Sequence, residues 1–325
     1  MNTTATTLRF AQDAGFLGLP AIAQEELKQS EIRADALLLG LPFDGGTTSL
    51  PGQRHGPELL RALGPSVGWT VDIEGRLNGI FDPVSRQDVL QGRLIFDIGD
   101  LGPVPIDPSL PRTAYYDAAS SAAYQLKTLC DVPIFLGGDH SITAALLAGV
   151  RHFQDQPLAL VCLDAHCDYE ANPSKLSSDR PLTHANFLNN ALESADINNA
   201  KIYGVRALLP GSAVDLPPIL QCFLDFSEHS LPGGNQPTYL SIDVDVLDPS
   251  VLKGTGHPEE DGFSLRNLKD AISAIIRHTN VIAIDIVEPT YDRTSNDDTA
   301  RILASILVTC LRNLFDAKDQ NASRK

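Results

Sequence analysis

The sequence predicts an α/β fold with a single doubly wound parallel sheet of about eight strands and helices on both faces. Short, continuously apolar segments, typical of strands buried on both faces, recur along the 325-residue chain. Segments with apolar residues at helical spacing alternate with them, and this alternation produces a parallel sheet covered by helices. We find no linker or repeat, so we expect one domain over residues 31–318, an N-terminal tail with a short helix over 1–30 and a C-terminal tail over 319–325.

The individual elements follow from local patterns. The predicted strands span residues 34–41, 93–98, 133–136, 158–163, 201–205, 220–226, 239–242 and 281–287. The predicted helices span residues 22–29, 57–63, 113–129, 141–152, a short segment from 187, 264–276 and 297–315. Pro57 suits a first helical turn, and Thr113, Ser264 and Ser295 are residue types that cap helices. Residues 66–92 show no clear periodicity and are predicted to be loop.

Two features of these elements concern packing and ligand binding. In the helix from Thr113, the positions Ala114, Ala118, Ala122, Leu126 and Leu129 repeat at helical spacing, and the small alanines predict close packing against a neighbour. Two Gly-rich turns lie close together in residues 42–57, directly after the first strand. Because open α/β folds bind ligands at the carboxyl edge of the sheet, we expect a functional loop there.

The chain is acidic, since 41 Asp and Glu against 25 Lys and Arg give a formal net charge of −16. This charge disfavours nucleic acid and anionic membranes as partners and suits a cationic substrate, although many soluble proteins are equally acidic. The five cysteines form no C-x-x-C pair, which favours reduced thiols and a cytoplasmic location. We find neither a signal-peptide pattern nor an apolar run long enough to span a bilayer.

Polar side chains of metal-binding type follow three of the predicted strands. They are Asp164, His166 and Asp168 after residues 158–163, Asp243 and Asp245 after 239–242, and His140 after 133–136. Residues two positions apart at a strand end point to the same side, and the carboxyl ends of parallel strands meet at one edge of the sheet. The sequence therefore predicts a site for two divalent cations at this edge.

The residue types indicate which metal and which chemistry. Carboxylates that bridge two cations offset the repulsion between them, and Asp164 and Asp243 are the candidates for that role. A water shared by two cations loses much of its proton affinity and becomes a nucleophile near neutral pH. Four aspartates and two histidines make an oxygen-rich set, which favours manganese over zinc or copper. Cys167 lies between two candidate ligands, but strand alternation directs it to the opposite face, so we expect it to be packed.

Each motif also has a simpler interpretation. An isolated D-x-H-x-D pattern is a weak signal, because aspartates after strands often cap loops. Asp243 and Asp245 could be turn residues in the same way, and His140 could be a hydrogen-bonding residue at a helix start. Their occurrence at the ends of three strands of one predicted sheet favours the metal site.

At these residues the chain resembles the arginase and agmatinase superfamily, the ureohydrolases. Three motifs are complete, namely G-G-D-H-S at 137–141, D-A-H-x-D at 164–168 and S-x-D-x-D-x-x-D-P at 241–249. Shorter matches are P-F-D-x-G-T at 42–47, R-x-G-P at 54–57, D-x-G-D at 97–100, G-T-G-x-P at 254–258 and E-P at 288–289. The likeness extends from about residue 34 to 315 and implies an arginase-like fold.

The resemblance implies two manganese ions per chain and hydrolysis of a guanidino group to urea and an amine. One ion would be held by His140, Asp164, Asp168 and Asp243, and the other by Asp164, His166, Asp243 and Asp245. By the same resemblance, Asp168 would orient the attacking hydroxide and carry its proton, and Glu288 would pair with the guanidinium. His184 would help to protonate the leaving amine, or would only make a hydrogen bond at a helix start. A homo-oligomer, a trimer or hexamer, is expected by family analogy.

Departures from the family pattern concern the substrate. Arginases have an Asn two residues after D-A-H-x-D that holds the substrate carboxylate, and here Glu170 would repel it, which disfavours free arginine. The common H-G-T-x-F segment reads H-A-N-F at 184–187, and His257 and Asp261 replace a Thr and a Gly of G-T-G-T-P-x-x-G-G. An agmatine-like guanidinoalkylamine and an arginine side chain within a peptide, giving ornithine, remain the main alternatives. A guanidino acid such as guanidinobutyrate is less compatible with the acidic residues 259–261.

Two other classes of protein are alternatives. Deacetylases share this fold but use a single metal, whereas His140 and Asp245 complete a second set of ligands here. A scaffold without enzymatic activity would be expected to have lost ligands, and all six are present. The sequence thus favours a binuclear hydrolase.

Overall fold

The computed structural model describes residues 15–30, 32–63, 69–83, 86–102, 113–170, 181–207, 216–291 and 296–322, with side chains left aside at 296–297 and 317–322. Its centre is a parallel sheet of eight strands in the order β4-β1-β5-β10-β9-β6-β7-β8. The α/β fold with one doubly wound parallel sheet is therefore confirmed. The boundaries of the predicted domain stay a prediction. Among the described residues, no helix combines the length and apolar character that crossing a membrane requires.

The elements have the following bounds. The strands are β1 Ala34–Gly40, β2 Ile80–Asp82, β3 Gln87–Val89, β4 Ile95–Asp100, β5 Cys130–Leu136, β6 Leu158–Leu163, β7 Ile197–Tyr203, β8 Leu220–Phe223, β9 Pro237–Asp243 and β10 Asn280–Val287. The helices are α1 Gln24–Gln29, α2 Gly56–Ala62, α3 Thr113–Leu129, α4 Ile142–Arg151, α5 Phe187–Ser194, α6 Leu265–His278 and α7 Asn296–Ala322. Short 3-10 turns lie at Phe16–Gly18, Gln53–His55, His184–Asn186, Glu228–Ser230 and Val244–Val246.

The central strands are buried along almost their whole length because both faces of the sheet are covered. All six residues of β6 are buried, and they alternate between two separate apolar clusters. Val161 and Leu163 belong to the cluster on one face, and Leu160 and Cys162 belong to the cluster on the other. This arrangement explains why the bounds of β6 were predictable, since a strand buried on both faces shows neither polar alternation nor a helical period.

The carboxyl ends of the four central strands are aligned in one row across the sheet. Leu136 pairs with Ile286, Ile286 with Ile242, and Ile242 with Leu163, so one row crosses the four central strands. The chain continues from this row into the loops that carry the candidate metal ligands. The strand register therefore brings segments that are far apart in sequence to one place.

Several sequence-based expectations were wrong in detail. Residues 66–92 are not only loop, since β2 and β3 form an antiparallel pair there, and strands of three residues are too short to show a periodic pattern. β7 begins at Ile197 rather than 201, because polar asparagines interrupt the apolar pattern of this strand near the edge of the sheet. β8 ends at Phe223 rather than 226. Ser295, the predicted cap of α7, lies outside the described residues.

The buried face of α3 also differs from the prediction. Its buried residues are Tyr115, Ala119, Ala123 and Leu126, whereas Ala114, Ala118, Ala122 and Leu129 are only partly buried. The alanines of this helix occur on adjacent faces, so their spacing did not define one stripe. Close packing itself is present, because a side chain at Gly149 of α4 would collide with the Ser120 carbonyl of α3.

Candidate metal centre

The six predicted ligands meet at the carboxyl edge of the sheet in two overlapping groups. His140, Asp164, Asp168 and Asp243 form the first group, and Asp164, His166 and Asp245 form the second, with the ligand atoms of each group within 4.8 Å of one another. Asp164 belongs to both groups, as a bridging carboxylate would. Asp243, the second predicted bridge, belongs to the first group only.

His140 is the centre of the first group. Its Nδ1 lies 3.2 Å from Asp164 Oδ2, 3.1 Å from Asp168 Oδ2 and 3.1 Å from Asp243 Oδ2. The side chain is completely buried, and Nδ1 makes no hydrogen bond within the described part of the chain. Its ring stacks on Phe187 of α5 with a centroid distance of 4.1 Å. One nitrogen therefore faces three carboxylate oxygens in a site closed to solvent.

The other nitrogen of His140 is held by a buried hydrogen-bond chain. Nε2 lies 2.9 Å from Ser241 Oγ, and that hydroxyl donates to Asp285 Oδ1 over 2.5 Å. Because Ser241 gives its proton to Asp285, its oxygen accepts the Nε2 proton of His140. A neutral His140 then presents the unprotonated Nδ1 lone pair to the three aspartates. This is the tautomer that a metal ion at Nδ1 requires.

Backbone conformation sets the position of His140 and of its neighbours. Gly137 and Gly138, directly after β5, have φ values of 81° and 90°, and a side chain at Gly137 would collide with Pro57. Asp168 and Glu288 have left-handed φ values of 46° and 66° without being glycine. Such strained conformations persist when the surrounding structure enforces them, and they concentrate at functional sites.

His166 belongs to the second group. Its Nδ1 lies 2.9 Å from Asp245 Oδ2 and 3.6 Å from Asp164 Oδ1. Asp164 Oδ1 also accepts the backbone N–H of His166 at 2.6 Å, and Asp245 Oδ1 accepts that of Ala165 at 3.1 Å. These contacts fix both carboxylates and leave Asp164 Oδ2 facing His140 and Asp245 Oδ2 facing His166.

The pKa shifts of this cluster reflect four buried aspartates crowded around two imidazoles. Burial and the charges of Asp245 and Asp164 raise the pKa of Asp243 well above its usual range. Burial and Asp164 also raise the pKa of Asp168 to about 6. Burial opposes protonation of His140, yet contacts with Asp164, Asp168 and Asp243 raise its pKa well above the ordinary value. With both imidazoles neutral, as metal ligation requires, the four ionised carboxylates would carry four negative charges, which two divalent cations would neutralise.

The residues present fit a pair of divalent cations. Asp164 Oδ2 and His140 Nδ1 are buried polar atoms without a hydrogen bond, and they face one another in the first group. A buried polar atom without a hydrogen bond is energetically costly, so two such atoms facing one another indicate a bound ligand. The mainly oxygen donor set, with two imidazoles and no thiolate, is compatible with manganese.

A second cluster of buried polar residues adjoins the first group. Glu288 Oε1 lies 3.1 Å from His184 Nδ1 and accepts the backbone N–H of His140 at 2.8 Å. Glu288 Oε2 accepts the side-chain amide of Gln53 at 2.8 Å. His184 Nε2 accepts the backbone N–H of Thr48 at 3.1 Å, so the Nδ1 of a neutral His184 carries the proton that is donated to Glu288.

The pKa values of this cluster reflect the ion pair. Burial lowers the pKa of His184, but the contact with Glu288 and the charges of Asp168 and Asp139 together outweigh burial, and the net shift is upward. Burial raises the pKa of Glu288, but His184, the His140 backbone N–H and the Gln53 amide together outweigh burial, and the net shift is downward. The structure therefore places His184 and Glu288 together, beside the first metal group, while leaving their predicted roles untested.

Glu259, one of the acidic residues expected to face the substrate, lies beside His166 of the second group. Glu259 Oε1 lies 3.7 Å from His166 Nε2 and 3.7 Å from His257 Nδ1, and its side chain is partly exposed. The loop that carries Glu259 is held by Arg206, whose guanidinium donates to the carbonyls of Glu259 and Glu260 at 2.8 Å. Glu170 is partly buried, and its backbone exchanges two hydrogen bonds with the Asn189 side chain. Residues 171–180, which follow Glu170, lie outside the described residues.

Sequence reasoning missed four residues of the site. They are Thr48, Gln53, Ser241 and Asp285. Asp285 could have been recognised from the sequence, because a charged residue in the middle of an otherwise apolar strand must be buried with hydrogen-bond partners. Asp285 is fully buried and accepts hydrogen bonds from Thr143, Tyr239 and Ser241. The contact between Gln53 and Glu288 joins residues 235 positions apart and left no local pattern.

Known proteins share this architecture. A sequence profile of the arginase family matches residues 34–312. The chain is 30% identical to an agmatinase of Sodalis glossinidius over 91% of both chains, and 26% identical to a guanidinopropionase of Pseudomonas aeruginosa over 97% of this chain and 95% of the relative. Proclavaminate amidinohydrolase of Streptomyces clavuligerus has the same fold, with a TM-score of 0.73 and 23% identity over 94% of this chain and 98% of that one. The chain therefore belongs to the arginase family.

Proposed function

We propose that this arginase-family hydrolase cleaves the guanidino group of a substrate to urea and an amine, using two manganese ions. The observation that carries the proposal is the buried Nδ1 of His140, which makes no hydrogen bond and lies within 3.2 Å of three aspartate oxygens. A divalent cation at this place would turn a repulsive arrangement into a set of ligands.

The two groups of ligands would hold one ion each. His140, Asp164, Asp168 and Asp243 would bind the first ion, and Asp164, His166, Asp243 and Asp245 the second. When bound, the ions would supply Lewis acidity that makes a water molecule reactive near neutral pH. The oxygen-rich donor set supports manganese as the metal.

The side chains next to the ions would handle protons and the substrate cation. Asp168 would orient the attacking water and accept its proton at a carboxylate oxygen, which its place in the first ligand group, 3.1 Å from His140 Nδ1, supports. Glu288, buried and ionised beside His184, would pair with the guanidinium. His184, with a raised pKa, would supply the proton that the leaving amine requires.

Acidic residues support a substrate without a free carboxylate. Glu170 and the run Glu259, Glu260 and Asp261 follow or adjoin the ligand segments, so an anionic group would be repelled there. An agmatine-like guanidinoalkylamine is the first candidate, and the similarity to agmatinases supports it. An arginine side chain within a peptide, giving ornithine, is also compatible, because it has no free carboxylate to bind.

A guanidino acid is the second candidate function. The guanidinopropionase of Pseudomonas aeruginosa aligns over 97% of this chain, and its name denotes an acidic substrate. Glu170 and the acidic residues 259–261 argue against this candidate, because they would repel its carboxylate. A direct comparison of substrates decides between the two.

The test measures urea from protein reconstituted with manganese. Agmatine, guanidinobutyrate, guanidinopropionate, free arginine and a blocked arginine-containing peptide are each supplied, and the peptide is followed by mass spectrometry for the loss of CH2N2. We expect urea from agmatine or the peptide and none from free arginine. Asp245→Asn should abolish urea release, while Asp117→Asn on the exposed face of α3 should leave it unchanged. Absence of urea from all five compounds would refute the proposal.

A further inference from the structure

Two cysteines that are far apart in sequence lie together beside the metal centre. Cys167 Sγ and Cys222 Sγ are 3.2 Å apart, although 55 positions separate the residues. Cys167 lies between the candidate ligands His166 and Asp168, and Cys222 lies on strand β8. Sequence analysis gave no indication of this pair, because the two cysteines belong to no C-x-x-C motif.

The sheet register explains how the pair forms. Ile202 of β7 is in register with Cys162 of β6 on one side and with Cys222 of β8 on the other, so the three side chains share a face. Cys167 belongs to the apolar cluster on that face, and Cys222 packs against it. The segment after β6 therefore turns back over β7 and brings its sulfur to the outer strand.

We propose that Cys167 and Cys222 form an oxidative modification site, at which a peroxide converts the two thiols into a disulfide. The sulfurs must approach by about 1.1 Å to reach the bonded length of about 2.05 Å. Cys222 is partly exposed, whereas Cys130, Cys162 and Cys310 are fully buried. Only this pair combines an exposed sulfur with a second sulfur in contact.

The reaction proceeds in two balanced steps. The sulfur of Cys222 attacks one oxygen of hydrogen peroxide, which gives a sulfenic acid and releases one water molecule. The sulfur of Cys167 then attacks the Cys222 sulfur, the disulfide bond forms, and the hydroxyl group leaves as a second water molecule. The peroxide is reduced, the two thiols are oxidised, and a dithiol reverses the change.

Disulfide formation would act on the metal centre through the backbone. Cys167 is bonded directly to His166 and Asp168, and Asp168 is already in a left-handed conformation with a φ of 46°. The backbone nearby is held as well, because Ala165 O accepts two N–H groups, from Arg206 and Ala207. Movement of Cys167 toward β8 would therefore shift its two ligand neighbours and weaken metal binding.

The first measurement follows the cross-link itself. The reduced full-length protein is treated with hydrogen peroxide, blocked with N-ethylmaleimide and digested without reductant for mass spectrometry. A peptide pair joined through Cys167 and Cys222 should become the main form of both cysteines. Cys222→Ser should abolish it, and the matched variant Cys310→Ser should retain it. Recovery of Cys167 and Cys222 as separate peptides, alkylated or overoxidised, would overturn the proposal.

The second measurement tests the coupling to metal and rests on the proposed metal centre. Manganese affinity of the oxidised wild-type protein should be about 10-fold or more weaker than that of the reduced protein, and dithiothreitol should restore it. Peroxide should leave the affinity of Cys222→Ser unchanged. A cross-link without any change in affinity would refute the coupling. Failure of the reduced protein to bind manganese would refute the metal centre, while the cross-link is tested independently.

Discussion

The side-chain amide of Gln53 donates a hydrogen bond of 2.8 Å to the carboxylate of Glu288, and both side chains are buried. The same amide donates to the carbonyl of Leu50 at 3.2 Å. Gly256 lies directly against this contact, since a side chain there would collide with the Gln53 amide and lie 3.3 Å from Glu288 Oε2. The Gly-rich loop after β1 thus reaches the candidate guanidinium-binding carboxylate and orients it.

Replacement of Gln53 by methionine should destabilise the protein by about 1–3 kcal/mol, because a buried oxygen of Glu288 loses its donor while the side-chain volume is kept. Urea unfolding followed by circular dichroism gives the change in free energy of unfolding. The control is Gln87→Met on the exposed strand β3, which should change stability by no more than about 0.5 kcal/mol. Equal effects of the two substitutions would contradict a specific role for Gln53.

Replacement of Ser241 by alanine should weaken manganese binding by about 10- to 100-fold, because Nε2 of His140 loses the acceptor that fixes its tautomer. Isothermal titration with manganese measures the affinity. Ser273→Ala on α6 removes a hydroxyl that donates to the Lys269 carbonyl of the same helix and should leave the affinity unchanged. An unaltered affinity in Ser241→Ala would show that the chain from Asp285 to His140 does not support metal binding.

Replacement of Arg206 by lysine should destabilise the protein by about 2 kcal/mol or more, because one ammonium group cannot replace a guanidinium that donates to several carbonyls. Those carbonyls belong to Gly204, Asp245, Val246, Leu247, Glu259 and Glu260. Limited proteolysis should cut the variant within residues 253–262 faster than the wild type. Arg277→Lys, at an exposed position of α6, provides the matched control. Cleavage of Arg206→Lys at the wild-type rate would contradict the role given to Arg206.

Replacement of His184 by asparagine should lower the rate of urea release by about 100- to 10,000-fold, because the proposed proton donor to the leaving amine is lost. Manganese content should stay at the wild-type value, since His184 contacts Glu288 rather than the ligand groups. The exposed residue His278, changed to asparagine, controls for the loss of a histidine. If His184→Asn released urea at a rate within a few-fold of the wild type, the proposed proton donation would be refuted, and His184 would have only a structural hydrogen-bonding role.

Apolar pattern predicted the central part of the fold. β6 has the predicted bounds, and the capping box of α6 joins Ser264 and Asn267 next to the predicted start of that helix. The pair β2 and β3 was missed because each strand has only three residues, and their mixture of apolar and polar side chains is too short to show a strand pattern. The face of α3 was misassigned because alanine residues on neighbouring faces give no single apolar stripe.

Some residues of the candidate site could likewise be predicted from the sequence, and others could not. His140, Asp164 and Asp243 were predictable because each follows a strand end, and parallel strand ends meet at one edge. The sequence did not predict the contacts of Gln53, Thr48 and Cys222, because these contacts depend on how loops and outer strands fold back across the sheet. Short-range spacing carries no information about a contact between residues more than 50 positions apart.

Metal content of the purified protein tests the central claim most directly. The full-length chain is reduced, stripped with a chelator, reconstituted with excess manganese, desalted and analysed by inductively coupled plasma mass spectrometry. We predict two manganese ions per wild-type chain, and in Asp164→Asn, which changes the carboxylate shared by both ligand groups, we predict fewer than one. Asp117→Asn should keep two ions. A wild-type chain that retains one ion or none would contradict a binuclear centre.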